Sequence, residues 1–287
     1  MNVLLKEVAL ATLRLAEAGV PSPRRDAEEL AAYVHQVPRS ELATVADVDF
    51  DARYWSAIAR RGAREPLQHI TGQVGFRYLQ LAVGPGVFVP RPETEVVAGW
   101  AIDALRAMDV ADPLAVDLGT GSGAIALAIA QEVPRSRVHA VELDKAALVW
   151  AERNIAEHPD GDRVLLHHGD AATCLPDLNG IVDLVISNPP YVPLEAWEHV
   201  APEARYYDPE LALLGGPDGL DVIRVVERTA RRLLRPGGWV VVEHADQQGG
   251  AVPWLFSNEG GWAEATNHRD LTGRYRFVTI RTRSAGS

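Results

Sequence analysis

Val182-Asp183-Leu184-Val185-Ile186-Ser187-Asn188-Pro189-Pro190-Tyr191 is the stretch on which the reading of this chain turns. Its first six residues form an apolar run of the kind found in a strand buried on both faces, as in a parallel sheet. Its last four lie where such strands present ligands. The two prolines carry no N–H and fix their own φ, so the turn is stiff and its carbonyls cannot be absorbed into a helix. An Asn amide, a prolyl carbonyl and an aromatic ring are thereby held in one place. Such a set can accept both hydrogens of an –NH2 group and cover its planar face. A bland Pro-Pro turn would read the same way, and a Gly-rich loop upstream is what weighs against it.

That loop is Val116-Asp117-Leu118-Gly119-Thr120-Gly121-Ser122-Gly123-Ala124, leading into a helix from Ile125 to Gln131. Glycines let the backbone turn tightly off a strand and admit a ligand against it, with the helix N-terminus behind. Gly119, Gly121 and Ala124 fit a dinucleotide fingerprint, a weak signal shared by several nucleotide-ligand families. Glu142 closes the next strand, Val138-His139-Ala140-Val141, about 20 positions on, where an acid accepts hydrogen bonds from both ribose hydroxyls. After a third strand, Val164-Leu165-Leu166, the turn Gly169-Asp170-Ala171 offers a carboxylate or a backbone N–H to an adenine edge.

An adenosine ligand suits a dehydrogenase and a methyltransferase alike, and Asn188 to Tyr191 separates them. A hydride enzyme needs a polarising His or Lys with a carboxylate, and no such pair stands at the strand ends. Methylation of an amide nitrogen needs something else, because that lone pair is delocalised into the carbonyl. The Asn188 side-chain oxygen and the Pro189 carbonyl can accept the two N–H bonds and aim the lone pair at a sulfonium methyl. Tyr191 can hold the amide plane. No strong base is required, and the contribution of positioning alone reaches about 7–11 kcal/mol in good cases. Carbonyl dipoles also favour positive charge developing on nitrogen.

The rest of the chain supplies the setting. From about residue 113, apolar runs ending in Asp117, Glu142, His168, Asn188 and Glu243 alternate with helical patterns, which implies βαβ units and a parallel sheet covered on both faces. Trp262 to about Ala265 and Tyr275 to Ile280 read as two further strands. Residues 1 to about 70 read as helical, with Val3, Leu4, Val8, Ala11 and Leu15 in one run, Ser22-Pro23 opening a second, and Asp51 starting a third that closes near Gly62. Val74, Phe76, Tyr78, Leu81 and Val83 with the turn Gly84-Pro85-Gly86 suggest a β-hairpin. Phe88-Val89-Pro90-Arg91-Pro92-Glu93-Thr94 is a rigid segment ahead of a helix carrying Val96, Val97, Trp100, Ala101 and Leu105.

The chain has 287 residues with 47% hydrophobic and 23% charged, an ordinary globular composition. It contains no apolar run of about 18 residues and no basic-then-apolar leader, so a cytoplasmic protein without a membrane partner is expected. The net charge of −11 argues against tight non-specific nucleic-acid binding. Arg60, Arg61 and Arg64, like Arg231, Arg232 and Arg235, read as solvated helix ends. Cys174, the single cysteine, reads as a packed side chain rather than a nucleophile, and His69 and His244 as hydrogen-bonded structural histidines. His167 and His168 point to opposite faces of a strand and make no metal site.

These motifs together resemble the class I S-adenosylmethionine-dependent methyltransferases, and within them the HemK/PrmC protein-(glutamine-N5) methyltransferases that modify peptide chain release factors. Arg64-Glu65-Pro66-Leu67-Gln68-His69-Ile70-Thr71-Gly72, Phe88 to Glu95, Asp117 to Gly123, Ser187 to Val192, Pro209 to Leu213 and Gly216 to Leu220 match that pattern in order, over nearly the whole chain. The resemblance implies a Rossmann-like, mainly parallel seven-stranded sheet with a small N-terminal helical domain. Its boundaries would be 1–72 for a helical substrate-recognition domain, 73–90 for a β-hairpin linker and 91–287 for the methyltransferase domain. It implies S-adenosylmethionine bound by Phe88, Pro90, Arg91, Glu93, Thr94, Asp117, Gly119, Thr120, Gly121, Ser122, Gly123, Glu142, Asp170, Ala171 and Asn188, with S-adenosylhomocysteine as product. Asn188, Pro189, Pro190 and Tyr191 would bind the target glutamine of a release-factor Gly-Gly-Gln loop and carry catalysis. Some family members have a bulky aromatic in place of Ala171, and the acid at Glu142 is often Asp.

The Asn-Pro-Pro-Tyr motif alone is shared with enzymes that methylate amino groups of nucleic-acid bases, N6 of adenine or N2 of guanine. The Arg-Glu-Pro-Leu-Gln and Pro-Arg-Pro-Glu-Thr segments are more specific to release-factor enzymes. A non-enzymatic binding module is the remaining alternative, and the joint presence of Gly119, Gly121, Glu142 and Asn188 speaks against it. The expected protein is a monomer with a release factor as partner, no metal and no direct nucleic-acid contact.

Overall fold

The computed structural model describes residues 3–44, 52–258, 260–263 and 265–283. Five helices open the chain's element order or interrupt its first strands: α1 (Val3–Glu17), α2 (Pro23–His35), α3 (Ala52–Gly62), α4 (Leu67–Thr71) and, after β1 (Gln73–Phe76) and β2 (Leu79–Ala82), α5 (Pro92–Ala107). There follow β3 (Leu114–Leu118), α6 (Ala124–Glu132), β4 (Arg137–Glu142), α7 (Lys145–Glu157), β5 (Val164–His168) and β6 (Val182–Ser187). The chain closes with α8 (Pro202–Tyr207), α9 (Asp221–Leu233), β7 (Leu234–Glu243), α10 (Ala251–Asn258), β8 (Thr266–Arg269) and β9 (Tyr275–Arg281). None of the helices is long and apolar enough to cross a membrane among the described residues.

Two compact units divide these elements. One groups Met1–Gln73 with Ala201–Tyr207, and the other Val74–Val200 with Asp208–Ser287. The helical unit is built on Leu4, Val8, Ala11 and Leu15 of α1, which pack with Leu30 and Ala31 of α2 and with Tyr54 and Ile58 of α3. The start expected at Asp51 lies outside the described residues. Arg61 corrects the reading of its cluster as a solvated helix end. It is buried, donates to Asp26 Oδ2 at 2.7 Å and to Glu203 Oε1 at 2.9 Å, while Arg64 grips Glu203 through Nε at 2.8 Å and Nη2 at 2.7 Å. Burial raises the Glu203 pKa, but the hydrogen bonds from Arg64 and Arg61 outweigh it and hold the carboxyl down at about 2. A short segment after the Asn-Pro-Pro-Tyr turn is in this way made part of the helical unit, which charge patterning alone did not indicate.

The second unit carries a seven-stranded sheet in the order β5-β4-β3-β6-β7-β9-β8. Strands β3 to β7 pair in parallel, and β9 runs antiparallel to both β7 and β8. Successive side chains of a strand point to opposite faces. Ala115, Leu184, Ile186 and Val241 accordingly face one core, shared with α5, α6 and the β1–β2 hairpin. Val116, Leu118, Val185, Val240 and Val242 face the other, where Ile223, Val226, Ala230 and Leu233 of α9 supply a stripe at three- and four-residue spacing. All six residues of β6 are buried, as its uninterrupted apolar run requires.

Two local readings are corrected. The hairpin turns at Arg77-Tyr78, not at Gly84-Pro85-Gly86: Arg77 takes φ +52° and Tyr78 is 77% exposed. A two-residue hairpin loop needs positive φ, a cue that Arg-Tyr does not advertise. The first strand of the tail is Thr266–Arg269, while Trp262 forms only an isolated bridge to Thr282 and packs its ring into the α9 core.

Candidate active site

Strand order reverses between β3 and β6. β4 and β5 are added on one side of β3, and β6 returns to its other side. In an open parallel sheet the crevice outside the carboxyl ends of such a strand pair is where ligands bind. The Gly-rich loop leaves β3 there and Asn-Pro-Pro-Tyr leaves β6, with Ser187 Oγ donating to Leu118 O at 2.7 Å to tie the two strand ends together.

The loop after β3 is held by its backbone. Gly119 N and Thr120 N both donate to Val141 O, at 2.9 and 3.0 Å, and Gly123 N donates to Thr120 O at 2.9 Å. Gly119, Gly121 and Gly123 take φ of +75°, +59° and +83°, a region closed to most side chains. A Cβ at Gly119 or Gly121 would meet nothing within 4 Å, so here the backbone faces open space. Glu142 is buried at the end of β4, and its Oε2 accepts from Gly121 N and its Oε1 from Asp144 N, each at 2.8 Å. The Glu142 carboxylate therefore pins the loop to the end of β4.

Asp117 lies fully buried beneath this loop and accepts at Oδ2 from Thr120 Oγ1 at 2.6 Å. Burial pushes its pKa up to about 7, against the pull of the Thr120 hydroxyl and the Ala126 amide, with the nearby Glu142 charge adding to the rise. Ser122 Oγ is buried without a hydrogen-bond partner among the described residues. Asp170 is exposed and caps its own turn, accepting from Ala172 N at 2.8 Å, while Ala171 is half-buried and its carbonyl accepts from Thr229 Oγ1 at 2.9 Å.

The loop after β6 is held by side chains. Asn188 Nδ2 donates to Thr94 Oγ1 at 3.2 Å, Thr94 Oγ1 donates to Glu243 Oε2 at 2.8 Å, and Tyr191 OH donates to Glu243 Oε1 at 3.2 Å. Burial pushes Glu243 up to about 7, opposed by Thr94, Arg276 and Tyr191. Burial also raises Tyr191, and the Glu243 charge raises it further, so the phenol stays protonated. Gln248 Nε2 donates to Tyr191 O at 3.0 Å and to Gly219 O at 3.2 Å. A Cβ at Gly215 would stand 2.7 Å from Pro190 O, so only glycine lets that loop lie against the tetrapeptide.

The segment ahead of β3 is brought to the same place. Pro92 opens α5, so Glu93 and Thr94 lie in the helix's first turn rather than ahead of it, and Thr94 is buried. Arg91 stacks over Phe88 at 4.8 Å from the ring centroid and donates to Asp208 Oδ2 at 2.6 Å. Burial raises Asp208 to about 6 despite that cation. Pro90 is half-buried beside them. Sequence reading missed Glu243, Gln248, Gly215 and Asp208 as site residues. For Glu243 the signal was available, since it ends an apolar run as Asp117 and Glu142 do. His244 is buried, with Nδ1 2.8 Å from Ala245 O and Nε2 3.1 Å from Asn267 Oδ1, and Cys174, whose thiol burial raises, donates through Sγ to Ala171 O at 3.2 Å.

A glycine loop opening into space, an acid at the end of the next strand and a polar Asn-Pro-Pro-Tyr turn stand together at a topological switch point, the arrangement expected from the resemblance to class I S-adenosylmethionine-dependent methyltransferases. Comparison with known proteins narrows this. Residues 8–72 match the family model described as the PrmC N-terminal domain, and residues 101–202 the methyltransferase small domain. A release factor glutamine methyltransferase of Streptomyces coelicolor is 71% identical over 281 residues, covering 98% of this chain and 99% of the relative. The chain belongs to the release factor glutamine methyltransferase family. A 4-amino-L-phenylalanine/4-methylamino-L-phenylalanine methyltransferase of Streptomyces pristinaespiralis is 41% identical over 90% of this chain and 88% of its own length. Among solved structures, a 16S rRNA N2 G1207 methyltransferase of T. thermophilus shares the fold, with TM-score 0.53 and 19% identity over 74% of this chain and 50% of that one.

Proposed function

We propose that this protein transfers a methyl group from S-adenosylmethionine to the side-chain amide nitrogen, N5, of the glutamine in the Gly-Gly-Gln loop of peptide chain release factors. The observation that carries the reading is the hydrogen-bonding state of Asn188. Its Nδ2 is committed to Thr94, and its Oδ1 makes no hydrogen bond among the described residues, leaving it to accept from an incoming –NH2. Pro189 O is the second acceptor, and two acceptors fix the plane of a primary amide. With its N–H bonds so directed, the nitrogen lone pair stands out of that plane, and the ring of Tyr191 limits the amide's rotation. Because the proton leaves after attack, no base needs to be matched to it, and the work of the site is orientation.

The residues present suit the cofactor. Gly119 and Gly121 leave room against the backbone, Ser122 offers a buried hydroxyl and Glu142 keeps lone pairs beyond those used by Gly121 and Asp144. When bound, S-adenosylmethionine supplies an electrophilic methyl on a sulfonium. In this reading Phe88, Pro90, Arg91 and Glu93 lie over it, Asp117 to Gly123 and Glu142 hold it from the β3 and β4 side, and Asp170 and Ala171 border the adenine. The helical domain, residues 1–72, grips the release factor away from the reacting loop. In this reading the protein acts as a monomer in the cytoplasm.

Mass spectrometry of a release factor incubated with the protein and S-adenosylmethionine tests this directly. One methyl on the Gly-Gly-Gln glutamine, absent with Asn188→Ala, is expected. An unmodified release factor alongside methylated 4-aminophenylalanine or a methylated base would overturn the acceptor assignment.

A further inference from the structure

We infer that the buried carboxylate of Glu243 sets the hydrogen-bond polarity of the acceptor site, acting through Thr94 as a positioning residue that fixes which end of the Asn188 amide is left to accept. The inference rests on the methyl-transfer reading above. An Asn side chain can turn its amide end for end with little change in shape, yet the two orientations have opposite chemistry. With the oxygen outward it accepts from an –NH2 group, and with the nitrogen outward it repels one. Something must choose.

The choice follows from the donors available. An ionised carboxylate only accepts, so the Thr94 hydroxyl proton is drawn to Glu243 Oε2 at 2.8 Å. The Thr94 lone pairs are then what Asn188 meets at 3.2 Å, and only its Nδ2 can satisfy them. The reverse amide would set oxygen against oxygen. Glu243 Oε1 takes the Tyr191 hydroxyl at 3.2 Å, so one buried group secures both ends of the Asn-Pro-Pro-Tyr turn. The elements around it supply few rivals. β9 brings Arg276, which favours the charged carboxylate and is itself held by Asp270 at 3.1 Å. α5 brings Glu93, which disfavours it, and the loop after β6 brings only Tyr191. Hydrogen bonds to a charged acceptor are the stronger kind, as a chain that must not reverse requires.

The test uses the intact protein with a release factor and S-adenosylmethionine, comparing Thr94→Val, Thr94→Ser and Glu243→Gln. Thr94→Val keeps the shape and removes the relay. It should lower kcat by about 10- to 100-fold, with cofactor Kd and the KM for the release factor within about threefold of wild type. Thr94→Ser, which restores the hydroxyl, should recover most of the rate. Glu243→Gln can offer Thr94 either an oxygen or an –NH2, so polarity is no longer imposed and kcat should fall while the pH dependence below about pH 7 flattens. Thermal unfolding confirms that each variant is folded. A Thr94→Val enzyme with unchanged kcat, a Thr94→Ser enzyme equally impaired, or a rate loss that tracks weakened cofactor binding would each overturn the inference alone. A wild-type protein that leaves the release factor unmodified would instead overturn the functional reading, and the inference with it.

Discussion

The loops after β3 and β6 meet at one switch point and are built on opposite principles. The Gly119–Gly123 loop gains its shape from permissive residues at positive φ, held by main-chain hydrogen bonds to Val141 and by Glu142. Asn188 to Tyr191 gains its shape from restricted residues, two of them prolines, and is held by side chains of Thr94, Glu243 and Gln248. The first loop leaves bare backbone facing open space, and the second carries the functional groups of Asn188 and Tyr191. Beneath each lies a buried carboxylate, Asp117 or Glu243, that burial pushes up to about 7. Room is what the one loop supplies, and direction is what the other supplies.

The comparison breaks hardest at Asn188. Asn188→Ala should lower kcat about 10²- to 10³-fold, the loss expected for one preorganised polar contact, while cofactor affinity changes far less. Equal losses in both, measured by single-turnover kinetics and calorimetric titration, would mean that the two loops do not divide the work. Gly121→Ala should give the converse. An Ala in the left-handed region costs about 1–2 kcal/mol of stability, and its methyl would project into the open space that the proposed function assigns to the cofactor. Affinity for S-adenosylmethionine should fall at least about tenfold, with kcat at saturation largely kept.

The two carboxylates sharpen the contrast through pH. Each has a folded pKa of about 7, above the ordinary value of 3.8 for Asp117 and 4.5 for Glu243, because burial disfavours the charge. A raised folded pKa means that the folded state holds the proton more tightly. Stability from these groups is complete below about pH 4 and is lost as pH rises through about 7. Transfer needs Glu243 ionised and so should run the other way, falling by up to about tenfold between pH 8 and pH 6. Chemical unfolding and initial rates on the same buffers would show stability rising while rate falls, and Glu243→Gln should flatten the rate profile and leave the Asp117 part of the stability profile.

How far the sequence could reach differs between the loops for the same reason. Gly119, Gly121 and Gly123 announce their backbone conformation by residue type, and β3 to β7 announce burial by their apolar runs, so the strand ends that carry both loops were legible in the sequence, while the strand order that makes them neighbours was not. Side-chain networks are assembled from distant segments and leave no periodic mark. Thr94 was placed by resemblance among the cofactor residues, while its hydrogen bonds run to Asn188 and Glu243. Glu243 lies 149 positions from it and was noticed only as the end of a strand. Gln248, Gly215 and the tie of Glu203 to Arg61 and Arg64 were invisible because each depends on a fold contact rather than on a local pattern.

Gln248 gives the smallest and most discriminating of these tests, because it asks whether the acceptor loop is stiff by itself or is made stiff. Its Nε2 serves the carbonyls of Tyr191 and Gly219, and its Oε1 accepts from Ala245 N at 3.0 Å. Gln248→Ala strips all three partners in a buried setting, so stability should fall by about 1–3 kcal/mol. The prolines still fix φ on either side of their peptide bond, and Thr94 and Glu243 still hold the functional ends. If restriction is intrinsic to the tetrapeptide, kcat should drop only about threefold at a temperature well below unfolding. A loss approaching that of Asn188→Ala would place the stiffness in the surrounding scaffold, and the prolines would then serve mainly to keep their carbonyls out of a helix.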